Sequence, residues 1–234
     1  MNLDYEPRPN TTVSISTMYD RSTTDLHGAP FGTIARSKPG TDYLVRDSLG
    51  RPLLIGATGT LNGNGGLLYN PENEINYRVS NRFLGGATVG YFPTDWVTFD
   101  GNFGYDTRTR ADRDWVVKGY RTSGIDLNTN LGNGSISDFS QEALNGALGA
   151  TLRKQISTDL LAKVTVRGSF EQDKQLAQRG GGQQFVVKDV FTLSNLSTGI
   201  TATSREQTIK RAGGFAGATA EYKDRYIEIG RAHV

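Results

Sequence analysis

The sequence predicts an all-β protein, an antiparallel up-and-down sheet of about eight strands. Three observations carry that reading. Period-two alternation of apolar and polar residues recurs along the chain, while helical periodicity is nearly absent. The alternating runs are about 10–16 residues long, against the ~5–6 usual in globular sheets. Links of three or four residues alternate strictly with long polar segments, so the two ends of the sheet must differ.

The runs follow one another in order. Val13, Ile15 and Tyr19 share one face of the first clear run, and Phe83, Ala87, Val89 and Tyr91 one face of the next. From Trp96 to Thr107, Val97, Phe99, Gly101, Phe103 and Tyr105 alternate with Thr98, Asp100, Asn102, Gly104 and Asp106. Between Gln141 and Gln155, Leu144, Leu148, Ala150 and Leu152 oppose Gln141, Asn145, Thr151 and Arg153. Between Thr158 and Asp173, Leu160, Ala162, Val164, Val166, Gly168 and Phe170 oppose Asp159, Leu161, Lys163, Thr165, Arg167, Ser169 and Glu171. The last run, Arg205 to Tyr222, carries Ala212, Gly214, Ala216, Ala218, Ala220 and Tyr222 on its apolar face. Short turns are expected at Pro7-Arg8-Pro9-Asn10, Pro93-Thr94-Asp95, Ile156-Ser157-Thr158 and Lys223-Asp224-Arg225. Long loops are expected at roughly residues 21–80, 108–140 and 174–204, where the Gly and Asn clusters lie. Those clusters include Asn62-Gly63-Asn64-Gly65-Gly66, Asn130-Leu131-Gly132-Asn133-Gly134 and Gly180-Gly181-Gly182, all expected to be flexible surface loop.

Composition narrows the class. The 234 residues include no Cys, which excludes disulfides and thiolate metal sites. A net charge of +2 argues against a nucleic-acid partner. Mean hydropathy is only −0.45, which alone reads as a polar soluble domain. Strands of this length, however, can cross a bilayer at a tilt, which takes ~9–11 residues. Lipid offers the backbone no hydrogen bonds, so a spanning sheet must close into a barrel. Such a wall needs one apolar face per strand, so its average hydropathy stays low. Tyr91, Phe92 and Trp96 bracket one short turn, and Tyr222 and Tyr226 another, as an interfacial aromatic belt requires. Short turns at one end and long loops at the other are the asymmetry of outer-membrane barrels. The alternative is a secreted soluble β-sandwich binding glycan or protein, whose aromatics would point into a core. Arg in place of Val164 or Phe99 is expected to cost ~2–4 kcal/mol near a bilayer midplane and to block outer-membrane assembly, whereas a full-length protein that stays water-soluble without detergent favours the sandwich.

Eight strands in this length are about 28 residues per strand and loop, which scales to roughly 600 residues for a ~22-stranded plugged barrel. The start, Met1-Asn2-Leu3-Asp4-Tyr5-Glu6, has neither the basic nor the apolar region of a signal peptide. The expectation is therefore an open partial sheet cut from a larger barrel. A small self-contained barrel would instead require the first and last strands to pair.

Several stretches resemble the barrel of the SusC/RagA family of TonB-linked outer-membrane proteins. They are Asn2-Leu3-Asp4-Tyr5-Glu6-Pro7-Arg8-Pro9, Tyr19-Asp20-Arg21-Ser22-Thr23-Thr24-Asp25, Asn70-Pro71 and Asn81-Arg82-Phe83-Leu84-Gly85-Gly86. Tyr91-Phe92-Pro93-Thr94-Asp95-Trp96-Val97, followed by Asn102-Phe103-Gly104-Tyr105-Asp106, is similar to that family's recurrent Y-x-P-x-x-W-L … N-x-S-Y-D. Lys118-Gly119-Tyr120-Arg121-Thr122 and Ala220-Glu221-Tyr222-Lys223-Asp224-Arg225-Tyr226-Ile227 match two more. Together they cover residues 2–227. The resemblance implies a fragment of a TonB-dependent transporter in the outer membrane of a Gram-negative bacterium. It implies import of an oligosaccharide or peptide, with a SusD-like surface lipoprotein and TonB as partners through parts outside this chain. Plug, TonB box and closing strand have no counterpart in these residues. Residues 1–227 are thus expected to be barrel, and 228–234 (Glu228-Ile229-Gly230-Arg231-Ala232-His233-Val234) a non-native, adaptor-like tail.

No catalytic, cofactor or metal group is expected, and the chain is not read as an enzyme. His27 and His233 form no pair, and Asp112/Asp114 and Glu72/Glu74 lack calcium-loop spacing, so they read as solvated loop charge. The Gly-rich segments lack the Lys-Ser/Thr of a phosphate loop. Asn10-Thr11-Thr12 and Asn195-Leu196-Ser197 match the glycosylation sequon, a pattern common by chance. The candidate site is the polar face of the runs, which a barrel turns toward its lumen: Arg82, Asp100, Asn102, Arg153, Lys163, Arg167 and Glu171. These residues either solvate the wall and pair with one another, or touch lumen contents. Phe31, Tyr43, Tyr69, Trp115 and Tyr120 are expected to be exposed loop aromatics, able to stack on sugar rings, dock a lid or pack their loops.

Overall fold

In the computed structural model the described residues are 1–26, 39–42, 45–46, 48, 74–119, 131–223 and 225–233, the last stretch by backbone alone. They form one antiparallel sheet of eight strands in chain order. The strands are β1 (Asn2–Arg8), β2 (Thr11–Asp25), β3 (Glu74–Thr94), β4 (Val97–Val116), β5 (Asn133–Ser157), β6 (Leu160–Phe185), β7 (Leu196–Tyr222) and β8 (Arg225–His233). A single 3-10 turn at Leu193–Asn195 precedes β7. Each strand pairs only with its sequence neighbours, so β1 and β8 are the two edges of an open sheet. A self-contained barrel, in which they would pair, is not what forms.

The register stacks the alternating runs into two continuous faces. Residues directly opposite across antiparallel strands lie on the same side. One row runs Leu3, Ile15, Ala87, Phe103, Gly146, Phe170, Ala212, and the next but one on the same face runs Thr11, Tyr91, Phe99, Ala150, Val166, Ala216. Ile15, Val89, Phe99, Phe103, Leu148, Val166 and Phe170 are all exposed on this apolar face, Leu148 by 76%. Aromatics mark its two margins. Tyr91 stacks on Phe99 with ring centres 6.2 Å apart near the short turns, and Phe83 meets Tyr105 at 6.3 Å near the opposite margin. On β7 the apolar face is reduced to Ala212, Gly214, Ala216, Ala218 and Ala220, as its sequence implies.

The short-turn end is staggered. Thr11 opens β2 and lies in the row that reaches Ala216, yet β7 runs on to Tyr222 before turning. A fall of about six residues at ~3.3 Å each, over about five strand spacings of ~4.8 Å, is a slope of about 40°.

The strands are longer than the alternation suggests. Much of 108–140 and 174–204 belongs to β4, β5, β6 and β7, and β2 continues to Asp25. Beyond the Tyr105 row charged residues such as Asp112 and Arg113 fall on both faces, so the periodicity fades while the hydrogen-bond ladder continues. Gly180-Gly181-Gly182 lies inside β6 and is not a loop. A Cβ at Gly180 would sit 2.6 Å from Leu193 Cδ1, and one at Gly134 only 2.0 Å from Trp115 Cε3. These glycines let side chains lie flat on the strands. The Asn62–Gly66 cluster is outside the described residues.

Candidate functional site

All seven candidate residues fall on the polar face, opposite the apolar rows. Asp100, Gly149 and Arg167 occupy one row, and Arg167 Nη1 reaches Asp100 Oδ2 at 3.3 Å across the intervening strand. Gly149 makes this possible, because a Cβ there would meet Asp100 Oδ1 at 2.6 Å. Arg82 grips Asp106 with two bonds, from Nε at 3.0 Å and Nη2 at 2.7 Å. Glu171 faces Arg211 directly at 3.5 Å. Asn102 lies between Thr88 and Ala147 in its row. Arg153 stands directly opposite Lys163, and neither makes an ion pair among the described residues.

Sequence reasoning missed part of this network. Arg78 binds Asp112 through Nε at 2.7 Å and Nη2 at 3.2 Å, and Arg110 approaches the same carboxylate at 3.4 Å while its guanidinium covers the Phe139 ring. Asp112 is therefore a strand residue in an ion pair, and the expected solvated loop charge is corrected. Asp173 accepts from Gln141 at 2.7 Å and Gln175 at 2.8 Å. The only signal in the sequence was opposite charge at facing positions, which needs the register to be read. Exposed pairs of this kind contribute about 0–1 kcal/mol each, so the network fixes side-chain positions more than it stabilises the sheet.

Three cavities lie along or beside this face. One of about 180 Å³ is bounded by Asn145, Glu171, Asp173, Ile209 and Arg211. Another, of about 240 Å³ near the short turns, is bounded by Arg153, Leu161, Lys163, Thr219 and Glu221. A third, of about 170 Å³, shares Leu161 and Glu221 with it and adds Gln155, Thr158, Asp159 and Lys223. Among the described residues, no group of three or more His, Asp or Glu is placed to hold a metal.

A second feature sits on the apolar side at the opposite end of the sheet. Trp115, expected in an exposed loop, is instead the penultimate residue of β4 and has 4% exposure. It packs with Phe185, Leu196, Phe191, Leu193, Ile75 and Ile136. The segment 186–195 folds back to complete this cluster, and Asn195 ties it together. Its Oδ1 accepts from Val187 N–H at 2.9 Å, and its Nδ2 donates to the carbonyls of Val187 (2.7 Å) and Val190 (2.8 Å). Lys118 Nζ donates to the Phe185 and Val186 carbonyls at 2.6 and 2.9 Å. Asn195→Ala removes three part-buried hydrogen bonds to the backbone of Val187 and Val190, an expected cost of about 0.5–1.5 kcal/mol for each. Faster amide exchange at Val187 with β5 and β6 unchanged is the expected readout; unchanged exchange at Val187 would show the staple to be dispensable. Phe31, Tyr43, Tyr69, Tyr120, His27 and Glu72 lie outside the described residues.

The chain is thus an open segment of antiparallel barrel wall, apolar on one face and charged on the other. No protein-family profile and no curated protein matches the sequence. Solved structures do match the fold. The RagAB peptide transporter aligns with a TM-score of 0.72 at 10% identity, over 97% of this chain and 26% of that one. The RagAB peptide importer in its 'closed-closed' state gives 0.73 at 11% identity, over 99% and 27%. Its 'open-open' state gives 0.72 at 10%, over 97% and 26%. The fold expected from the SusC/RagA resemblance is therefore the fold found. The chain spans about a quarter of the length of these neighbours.

Proposed function

We propose that the chain forms part of the barrel wall of a TonB-dependent transporter of the SusC/RagA type, set in the outer membrane of a Gram-negative bacterium. The observation that carries this is the apolar face. It runs unbroken across the sheet between two aromatic margins. Its strands slope at about 40°, inside the ~35–45° of membrane barrels. From Val97 to Tyr105 it spans about 27 Å along the strand, or ~21 Å along the normal at that slope, close to the ~25 Å of a lipid-facing band. A β-sandwich would cover such a face with a second sheet, and the described residues form only one.

The reading extends to a protein that imports an oligosaccharide or peptide rather than an enzyme, and works with a SusD-like lipoprotein and TonB. Support comes from the neighbours, which are a peptide transporter and importer. Similar agreement with the closed-closed and open-open neighbours supports a static wall role for this segment. The polar face, with Arg82, Asp100, Asn102, Arg153, Lys163, Arg167 and Glu171, would then line the lumen. Cell fractionation of the intact protein tests the reading. Recovery from the envelope only with detergent is expected, and an intact protein that stays in aqueous solution without detergent would overturn it.

A further inference from the structure

The lean of the strands levels the upper aromatic margin. At about 40°, each residue along a strand rises about 2.5 Å, and each step from β2 toward β7 lifts a row by about 3 Å. Tyr19, Phe83, Tyr105 and Phe170, which lie in different rows, then fall within about 3 Å of one height. Among the described residues of β2–β7, the apolar face carries no charged side chain from this level down to that of Tyr91 and Phe99. Charge returns above it. Lys174 and Lys210 stand about 11 and 9 Å above Tyr105. Both keep the facing of Phe170 and Ala212, which precede and follow them at even spacing on β6 and β7. Lys174 stands directly opposite Thr208, and Lys210 directly opposite Gln172, so the four side chains form one patch. The lysines are diagonal neighbours, a separation of ~7–8 Å that long side chains bridge. Glu206 meets Lys174 at 3.2 Å from the side away from the apolar band, with the two side chains 57% and 47% exposed.

We propose that Lys174 and Lys210 clamp the phosphate headgroup of an outer-leaflet lipid. The inference rests on the transporter reading, which sets the apolar band in lipid and the long-loop end outside the cell. Three observations select this occupant. The patch adjoins the band directly: Lys210 follows Ala212 on the outward face of β7, and only Gln172 separates Phe170 from Lys174 on β6. Its level is just beyond the aromatic rings, which settle among lipid headgroups, and the lysine stems can lie along the wall to bring their charges down to that depth. Its chemistry fits phosphate. Two ammonium groups this close repel each other, and an anion between them turns the repulsion into attraction. The Thr208 hydroxyl and the Gln172 amide can donate to the remaining oxygens. An exposed ion pair such as Lys174 with Glu206 is weak enough for a phosphate to displace.

The test is lipid binding by the intact protein in dodecyl maltoside micelles, read by native mass spectrometry. The probe is monophosphoryl lipid A, with its dephosphorylated form as the reference. The parent protein should hold the phosphorylated lipid at least about tenfold more tightly, the effect of one charge-assisted contact. Lys174→Gln combined with Lys210→Gln should remove that preference, whereas Lys174→Arg combined with Lys210→Arg should keep it. Lys154→Gln should leave it unchanged, because Lys154 lies over Trp96 beside a short turn at the other margin. Equal retention of the two lipids by the parent protein overturns the proposal, and so does an unaltered preference in the Gln pair. Loss of the preference in millimolar inorganic phosphate at constant ionic strength overturns it as well, since that would mark a site for the free anion. An intact protein held in the membrane but indifferent to the phosphate sinks this inference alone, whereas one soluble without detergent sinks the transporter reading itself.

Discussion

Val166→Arg in the intact protein is expected to prevent accumulation of the folded barrel in the outer membrane. Val166 lies mid-row on the apolar face between Ala150 and Ala216, with small side chains on both sides and nothing to shelter a guanidinium. Arg near the bilayer midplane costs about 2–4 kcal/mol. That is a large fraction of a typical net stability of ~5–15 kcal/mol. Ser169→Arg is the control, because it stands on the polar face of the same strand and should assemble normally. The measurement is the fraction of heat-modifiable, detergent-extracted protein for each variant. Equal assembly of the two would mean that the apolar face meets no lipid.

Trp115→Ala should release the segment 186–195 while leaving the sheet paired. Trp115, Phe185 and Leu196 have 3–4% exposure and form the apolar cluster of buried residues in the described chain. Truncating a buried aromatic costs about 3–5 kcal/mol. The loss is local, because the ladder of β4 with β5 continues below it. Lys188 lies in the segment and gives trypsin a reporter bond. Cleavage there should accelerate strongly in Trp115→Ala, and also in Gly134→Ala, whose new Cβ would strike the indole ring. Resistance equal to the parent in both variants would remove the cluster's role in holding the segment.

The lower half of the sheet was readable in the sequence because a wholly apolar face forces strict alternation. Val97 to Tyr105 and Leu160 to Phe170 could be assigned to faces without coordinates, and the seven polar candidates landed together for the same reason. The upper half was not readable. Where Asp112, Arg113 and Asp114 succeed one another, both faces carry charge and nothing repeats. The glycines were misread for a related reason. A run such as Gly180-Gly181-Gly182 looks like a loop unless one knows that Leu193 and Leu196 lie against it. Ion pairs such as Arg78 with Asp112 join residues 34 apart, so only the register brings them together. The turns were legible because Pro and Asp punctuate them, and their positions fixed the stagger.

That stagger sets how much perimeter each strand takes. A strand leaning at about 40° occupies ~4.8 Å divided by the cosine of its lean, or about 6.3 Å of circumference. Eight such strands trace an arc of about 50 Å. If the ring is completed by the ~22 strands of a plugged transporter, its girth is about 140 Å and its backbone diameter about 44 Å. Upright strands would give a ring only about 34 Å across. The six-residue fall from the first short turn to the last therefore widens the bore by roughly a third.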